Sequence, residues 1–151
     1  MSKTFTPKIS FCLREGYSVM DFAQVQTLLA ATYWAPGISR ETVEHAARNS
    51  ALVIGAFAAD GTQVGYARVV SDKTRFAYLC DVVVAEACRK QGIGRALVQQ
   101  ALEHPDLATV STWTLATRDA HEVYAPLGFL PVTDPKSRPA DWMVLRRSKP
   151  A

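Results

Sequence analysis

Tyr78-Leu79-Cys80-Asp81-Val82-Val83-Val84, then after four residues Arg89-Lys90-Gln91-Gly92-Ile93-Gly94-Arg95, is the stretch on which the reading of this chain turns. The first half is short, β-branched and apolar apart from Asp81, which predicts a strand. Beyond the glycines, Ile93, Leu97, Val98, Ala101 and Leu102 fall on one face of a helix ending before Pro105. Gly92 and Gly94 therefore sit at a strand-to-helix turn. Without a Cβ they let a ligand approach the backbone, and the first N–H groups of a helix have no partner within it. Those donors, the positive end of the helix dipole and the cations Arg89, Lys90 and Arg95 favour a polyanion such as a pyrophosphate. A dinucleotide fingerprint would need a third glycine where Leu97 stands, and a Walker loop would need Gly-Lys-Ser/Thr; neither is present.

Two blocks carry a resemblance to a known family. Arg89, Gly92 and Gly94 match in register the signature Arg/Gln-x-x-Gly-x-Gly/Ala of the GCN5-related N-acetyltransferases. Downstream, Leu115-Ala116-Thr117, Ala120, Tyr124 and Leu127-Gly128-Phe129 resemble that family's next strand, short helix and aliphatic-Gly-Phe turn. Pro126 departs from the pattern, in which a charged residue is more usual. The resemblance implies the acyl-CoA N-acyltransferase fold: an α/β domain with a mixed, mostly antiparallel sheet and helices on both faces. It implies acetyl-CoA as cosubstrate, with its pyrophosphate at Arg89, Lys90, Gln91, Gly92, Ile93, Gly94 and Arg95. Backbone groups near Val82 and Val84 would bond the pantetheine arm like an added strand, and Thr117 would flank it from the following strand.

The reaction implied is attack of a primary amine, on a small molecule or a peptide, on a thioester by direct transfer in a ternary complex. An alkylammonium with a pKa of about 10.4 must lose a proton first, and a departing thiolate with a pKa of roughly 8.5 gains from a nearby donor. Tyr124 matches the family's tyrosine in the donor role; the alternative is a packing aromatic beside Val123 and Leu127. Asp81 breaks an apolar strand, and such violations concentrate at functional sites. It is a candidate for base or amine anchor, or for a structural carboxylate paired with Arg68 or Arg118. Cys80 stands where related polyamine-acting enzymes tend to carry a second acid. His121, Glu122 and Cys88 are weaker candidates, and Tyr33, Trp34 and Trp142 are candidates for the acceptor pocket. A non-catalytic CoA-binding regulatory module is the alternative function.

Length and composition set independent limits. A chain of 151 residues with 48% hydrophobic residues fits one domain, taken here as residues 1–151. A net charge of +3, without a basic face interleaved with aromatics, gives no support for nucleic acid as a partner. No apolar run of membrane-spanning length and no leader pattern is read, so no membrane partner is expected. Three cysteines without Cys-x-x-Cys spacing imply free thiols in a cytoplasmic setting, and no cluster has metal-ligand spacing. The oligomeric state is open, with a homodimer among the options.

Along the chain, residues 9–13 predict a first strand. Helices follow over 21–31, capped by Asp21, and from Ser39 to about residue 48. Residues 52–59 and 63–70 predict a hairpin through Asp60-Gly61. Strands are expected at 76–84, 113–117, 129–132 and 142–145, helices at 92–104 and, capped by Asp119, through residue 124. The strand–helix–strand passage around the glycines predicts one parallel pairing.

Overall fold

The computed structural model describes residues 8–134, 136 and 142–147. Two compact units divide the chain, residues 1–118 and residues 119–151. The first holds a five-stranded sheet in chain order: β1 (Phe11–Glu15), β2 (Leu52–Ala58), β3 (Gln63–Ser71), β4 (Phe76–Val84) and β5 (Thr112–Thr114). The first four pair antiparallel, and β4 pairs parallel with β5. Helices α1 (Phe22–Ala30) and α2 (Arg40–Arg48) follow β1, and α3 (Ile93–Leu102) joins β4 to β5.

Local chemistry explains these boundaries. Asp21 accepts from the Gln24 N–H and Ser39 from the Thr42 N–H, each satisfying a helix donor that has no carbonyl partner. At the hairpin, Asp60 accepts the Thr62 N–H at 2.9 Å, while Gly61 takes φ 90°, which an L side chain resists.

Strand alternation sends two sets of side chains to opposite faces. On one face Val53, Phe57, Tyr66 and Val83 pack with Met20, Phe22, Val25 and Leu29 of the α1 region and Val43 and Ala47 of α2. On the other, α3 buries Ile93, Leu97, Val98 and Ala101. There Gly65 makes room for the helix, because a Cβ on it would lie 3.1 Å from Leu97 Cδ1 and 3.2 Å from Ile93 Cγ2. Leu97 alone, with no exposed surface, contributes roughly 1.5–3 kcal/mol through burial. Gln63, also fully buried, accepts the Asp21 N–H and donates to the Gly65 carbonyl, tying the start of β3 to the cap of α1.

The second unit holds α4 (His121–Tyr124), continued by a tight 3-10 turn over Ala125–Leu127. Pro126 lies in the first turn of that element, where its missing N–H costs nothing. The α-helix ends at Tyr124, as expected, and the 3-10 turn carries the backbone on to the left-handed Gly128. Ala120, not Asp119, occupies the cap position of α4.

Two expected strands are absent among the described residues: 129–132 and 142–147 are turn or irregular backbone. Pro131 has no N–H to give to a ladder. Trp142, Met143, Val144 and Leu145 lack the alternation of a half-buried strand, and their exposures of 53%, 93%, 72% and 77% reflect no core-facing side. Similarly, β5 is limited to Thr112–Thr114 instead of running to Thr117. Among the described residues no helix is long and apolar enough to cross a membrane, and no group of three or more metal-binding side chains converges.

Candidate active site

The turn between β4 and α3 is built as the glycines require. Gly92 caps α3 at φ 85°, and Lys90 before it also takes a positive φ of 61°. No side chain caps this terminus, and no acidic residue stands in its first turn. The first bond back into the helix is from the Ala96 N–H to the Gly92 carbonyl at 3.0 Å, so the preceding N–H groups of Ile93, Gly94 and Arg95 point out of it. Gln91 accepts the Ile9 N–H at 2.7 Å, which brings the chain before β1 alongside. A cavity of about 540 Å³ opens there, lined by Lys8, Arg89, Lys90, Gln91 and Gly92. Free donors, three cationic side chains and no opposing carboxylate in the first turn fit a pyrophosphate.

Not every residue of the heptad presents its side chain. Ile93 is 2% exposed and belongs to the core, so only its backbone can serve a ligand. Arg89 folds back, donating from Nε to the Val84 carbonyl at 3.2 Å.

Beside the cradle, β4 and β5 part. Their register runs only from Phe76 opposite Thr112 to Tyr78 opposite Thr114, so residues 79–84 have β3 on one side and no ladder partner on the other among the described residues. Ala85 donates to the Val64 carbonyl. Antiparallel alternation then turns the N–H and C=O of Val84 away from β3, toward that open edge. Thr117 lies just beyond β5, in the segment that leaves the sheet.

A bulge interrupts β4 at this place. Cys80 lies opposite Arg68 and Val83 opposite Tyr66, three steps on β4 against two on β3. Asp81 takes φ 56° within the extra step, a left-handed conformation that Asp tolerates better than most residues. Its carboxylate meets Arg68 Nε at 2.9 Å through Oδ2 and accepts from Trp34 Nε1 at 3.2 Å through Oδ1. The two ion-pair side chains are 18% and 14% exposed, and the guanidinium also donates to Ser50 Oγ at 3.2 Å. Of the two cations considered for Asp81, Arg68 is its partner.

Arg118 instead stacks over the Tyr33 ring, 3.9 Å from its centroid, while its backbone N–H donates to the Tyr33 hydroxyl. Tyr33 meets Trp34 edge-on at 5.0 Å. An aromatic wall from the α1–α2 link thus lies beside the bulge. Burial pushes the Cys80 thiol up to about 11 against the opposing pull of Arg68, and it raises the Tyr66 hydroxyl as well. Tyr66 is fully buried and its hydroxyl finds no hydrogen-bond partner among the described residues.

In the second unit Tyr124 ends α4, edge-on to Phe129 at 6.0 Å, and its carbonyl accepts the Phe129 N–H at 3.4 Å. His121 and Glu122 occupy the first turn of the same helix, and Trp142 belongs to this unit. Cys88 closes a 3-10 turn before the loop and does not lie on α3. Sequence reasoning missed the bulge, the indole bond to Asp81 and the place of Lys8. Only the carboxylate in an apolar strand hinted at the first.

Comparisons with known proteins point to one family. A family model described as the acetyltransferase (GNAT) family matches residues 20–129. An uncharacterized N-acetyltransferase, ycf52 of Pyropia yezoensis, is 33% identical over 92 residues, 58% of this chain and 53% of that protein; the match spans about half the length of that relative. A crystal structure assigned to the GNAT family of acetyltransferases, from Xanthomonas campestris pv. campestris, superposes with a TM-score of 0.77 at 37% identity, covering 89% of this chain and 94% of that chain. The GNAT family protein SP0256 from Streptococcus pneumoniae TIGR4 shares the fold, with a TM-score of 0.69 at 23% identity over 91% of this chain and 100% of that one.

Proposed function

The chain belongs to the acetyltransferase (GNAT) family, and from that premise we propose that it is an acetyl-CoA-dependent N-acetyltransferase acting on a primary amine of a small molecule or peptide by direct attack in a ternary complex. One observation carries the reading. The uncapped, glycine-lined start of α3 adjoins a strand whose outer edge is freed by the splay of β4 from β5, which suits an anionic head joined to a slender amide-bearing arm. In this reading Gly92, Ile93, Gly94 and Arg95 offer backbone N–H groups to the pyrophosphate, and Arg89, Lys90 and Arg95 supply charge. Gln91 shapes the loop. Val84, with Val82 beside it, bonds the arm, and Thr117 flanks it.

Acetyl-CoA supplies an activated acyl group whose bond to sulfur breaks as the bond to nitrogen forms. The amine loses a proton before or during attack, and the departing thiolate gains one. Tyr124 is proposed as the donor to that thiolate, on its match to the family's motif. Asp81 is proposed on the acceptor side, where Tyr33 and Trp34 border the bulge. Its carboxylate is already engaged by Arg68 and by Trp34, which suits it to holding that wall.

A panel of primary amines and short peptides offered with acetyl-CoA tests the proposal, with thiol release and acetylated product followed together. The expected result is one-to-one formation of thiol and acetyl-amine that requires the amine. Coenzyme A binding without amine-dependent release would leave a CoA-binding regulatory module.

A further inference from the structure

We propose that Arg68 and Trp34 are positioning residues acting through Asp81: the ion pair and the indole bond hold the extra residue of β4 in its left-handed conformation and pin the aromatic α1–α2 link beside it. The inference rests on the reading of this strand edge as the transfer site, and it assigns what sets the geometry there.

Three observations meet at one carboxylate. A bulge has no ladder bond to enforce it, so an extra residue persists only where something else determines its conformation. At Asp81 that determinant is visible, because the guanidinium engaging Oδ2 comes from Arg68, the β3 residue opposite Cys80 at the edge of the bulge. Arg68 is itself held by Ser50, whose hydroxyl donates to the Ala46 carbonyl of α2. The other oxygen, Oδ1, takes the Trp34 indole N–H, although Trp34 is 44% exposed and α1 separates it from the sheet in sequence. Trp34 then orients Tyr33, and Tyr33 carries Arg118.

The base of this link is fixed independently. The Gly37 N–H bonds the Ala30 carbonyl, and Gln26 Nε2 donates to the Ile38 carbonyl. Its aromatic tip, among the described residues, is tied to the sheet through Asp81. Both oxygens of this carboxylate are already engaged, one by the guanidinium and one by the indole. Placing both structures, the strand bulge and the acceptor wall, is a role that matches what its two oxygens do.

The test uses the full chain labelled with 5-fluorotryptophan, the Trp34 fluorine resonance being assigned by Trp34→Phe. Arg68→Met, Asp81→Ala and Asp81→Gly are compared with wild type for that resonance, for acetyl-CoA affinity and for kcat and KM toward an amine from the panel. Arg68→Met and Asp81→Ala are expected to move the Trp34 resonance and raise the acceptor KM at least tenfold. Asp81→Gly is expected to recover kcat about tenfold over Asp81→Ala, since glycine keeps the left-handed backbone. A Trp34 resonance and an acceptor KM unmoved in Asp81→Ala, with kcat alone lost and acetyl-CoA affinity intact, would make the carboxylate a chemical group and overturn the proposal. So would an unmoved Trp34 resonance in Arg68→Met.

Should Arg68→Met fail to fold, Trp34→Phe removes only the indole donor at a half-exposed position. A fivefold or larger rise in acceptor KM is expected there, and an unchanged KM overturns the proposal. If wild type acetylates no amine, the functional reading fails, yet the Trp34 resonance of Arg68→Met, or of Asp81→Ala, still decides the coupling.

Discussion

Replacing Gly94 by alanine separates a demand of the ligand from a demand of the fold. A Cβ built at Gly94 has one neighbour within 4 Å, Val84 Cγ2 at 3.7 Å, an ordinary contact, and the residue's φ is not in the left-handed range. The free protein therefore loses nothing. Exchange of glycine for alanine inside a helix gains roughly 0.5–1 kcal/mol, which for a chain of this size raises Tm by about 1–4 °C. Binding should move the other way. The new methyl lies between the first turn of α3 and the end of β4, where a phosphate must approach the backbone. Loss of one charge-assisted hydrogen bond, about 1.5–3 kcal/mol, weakens coenzyme A by roughly ten- to a hundredfold. Calorimetric titration beside thermal melts reads both effects. Gly92→Ala is the contrast, because its Cβ meets nothing but its φ of 85° imposes about 1–2 kcal/mol of strain on the fold itself. A Gly94→Ala protein that is more stable and binds coenzyme A as wild type does would refute the cradle.

Three further outcomes are expected. Tyr124→Phe should lower turnover by roughly 10²–10⁴-fold with coenzyme A affinity nearly unchanged, since only a hydroxyl is lost; steady-state kinetics beside a direct titration checks it, and an unchanged turnover would leave Tyr124 as a packing residue. Cys80, with its thiol pushed up to about 11 by burial, should resist alkylation at pH 8 while the exposed Cys12 is modified, as peptide mass mapping would show. Asp72 accepts the N–H groups of Arg75, Thr74 and Phe76, which hold its carboxyl below the ordinary value. Its contribution is therefore present above the unfolded-state pKa and lost as pH falls through the folded one, so the Tm deficit of Asp72→Ala measured at pH 7 should shrink on acidification below pH 4.

Much of this fold is legible in the residues because short-range signals set it. Asp21 and Ser39 announce helix starts that the backbone confirms, and Asp60-Gly61 announces a turn whose left-handed glycine is found where expected. The glycine turn after β4 follows from two residues without a Cβ and a striped helix. What the sequence leaves unreadable depends on partners far along the chain. The bulge at Asp81 is a matter of register between β3 and β4, and no local pattern counts the residues facing Arg68. The bond from Trp34 to Asp81 spans 47 positions. Residues 129–132 and 142–145 are apolar enough to suggest strands, yet apolar character alone does not provide a ladder partner. Asp81 illustrates both sides: its oddity in an apolar strand is visible in the residues, and its engagement with Arg68 and Trp34 is visible only in three dimensions.

In the proposed reading the start of α3 and the freed edge of β4 together form the acyl-CoA site. Titration of the isotope-labelled protein with coenzyme A, followed amide by amide, tests it most directly. The largest shifts are expected on Gly92, Ile93, Gly94 and Arg95 and on Val82 and Val84, weakening together in Gly94→Ala. Saturable shifts that leave these amides unmoved would contradict it, as would the absence of any saturable shift.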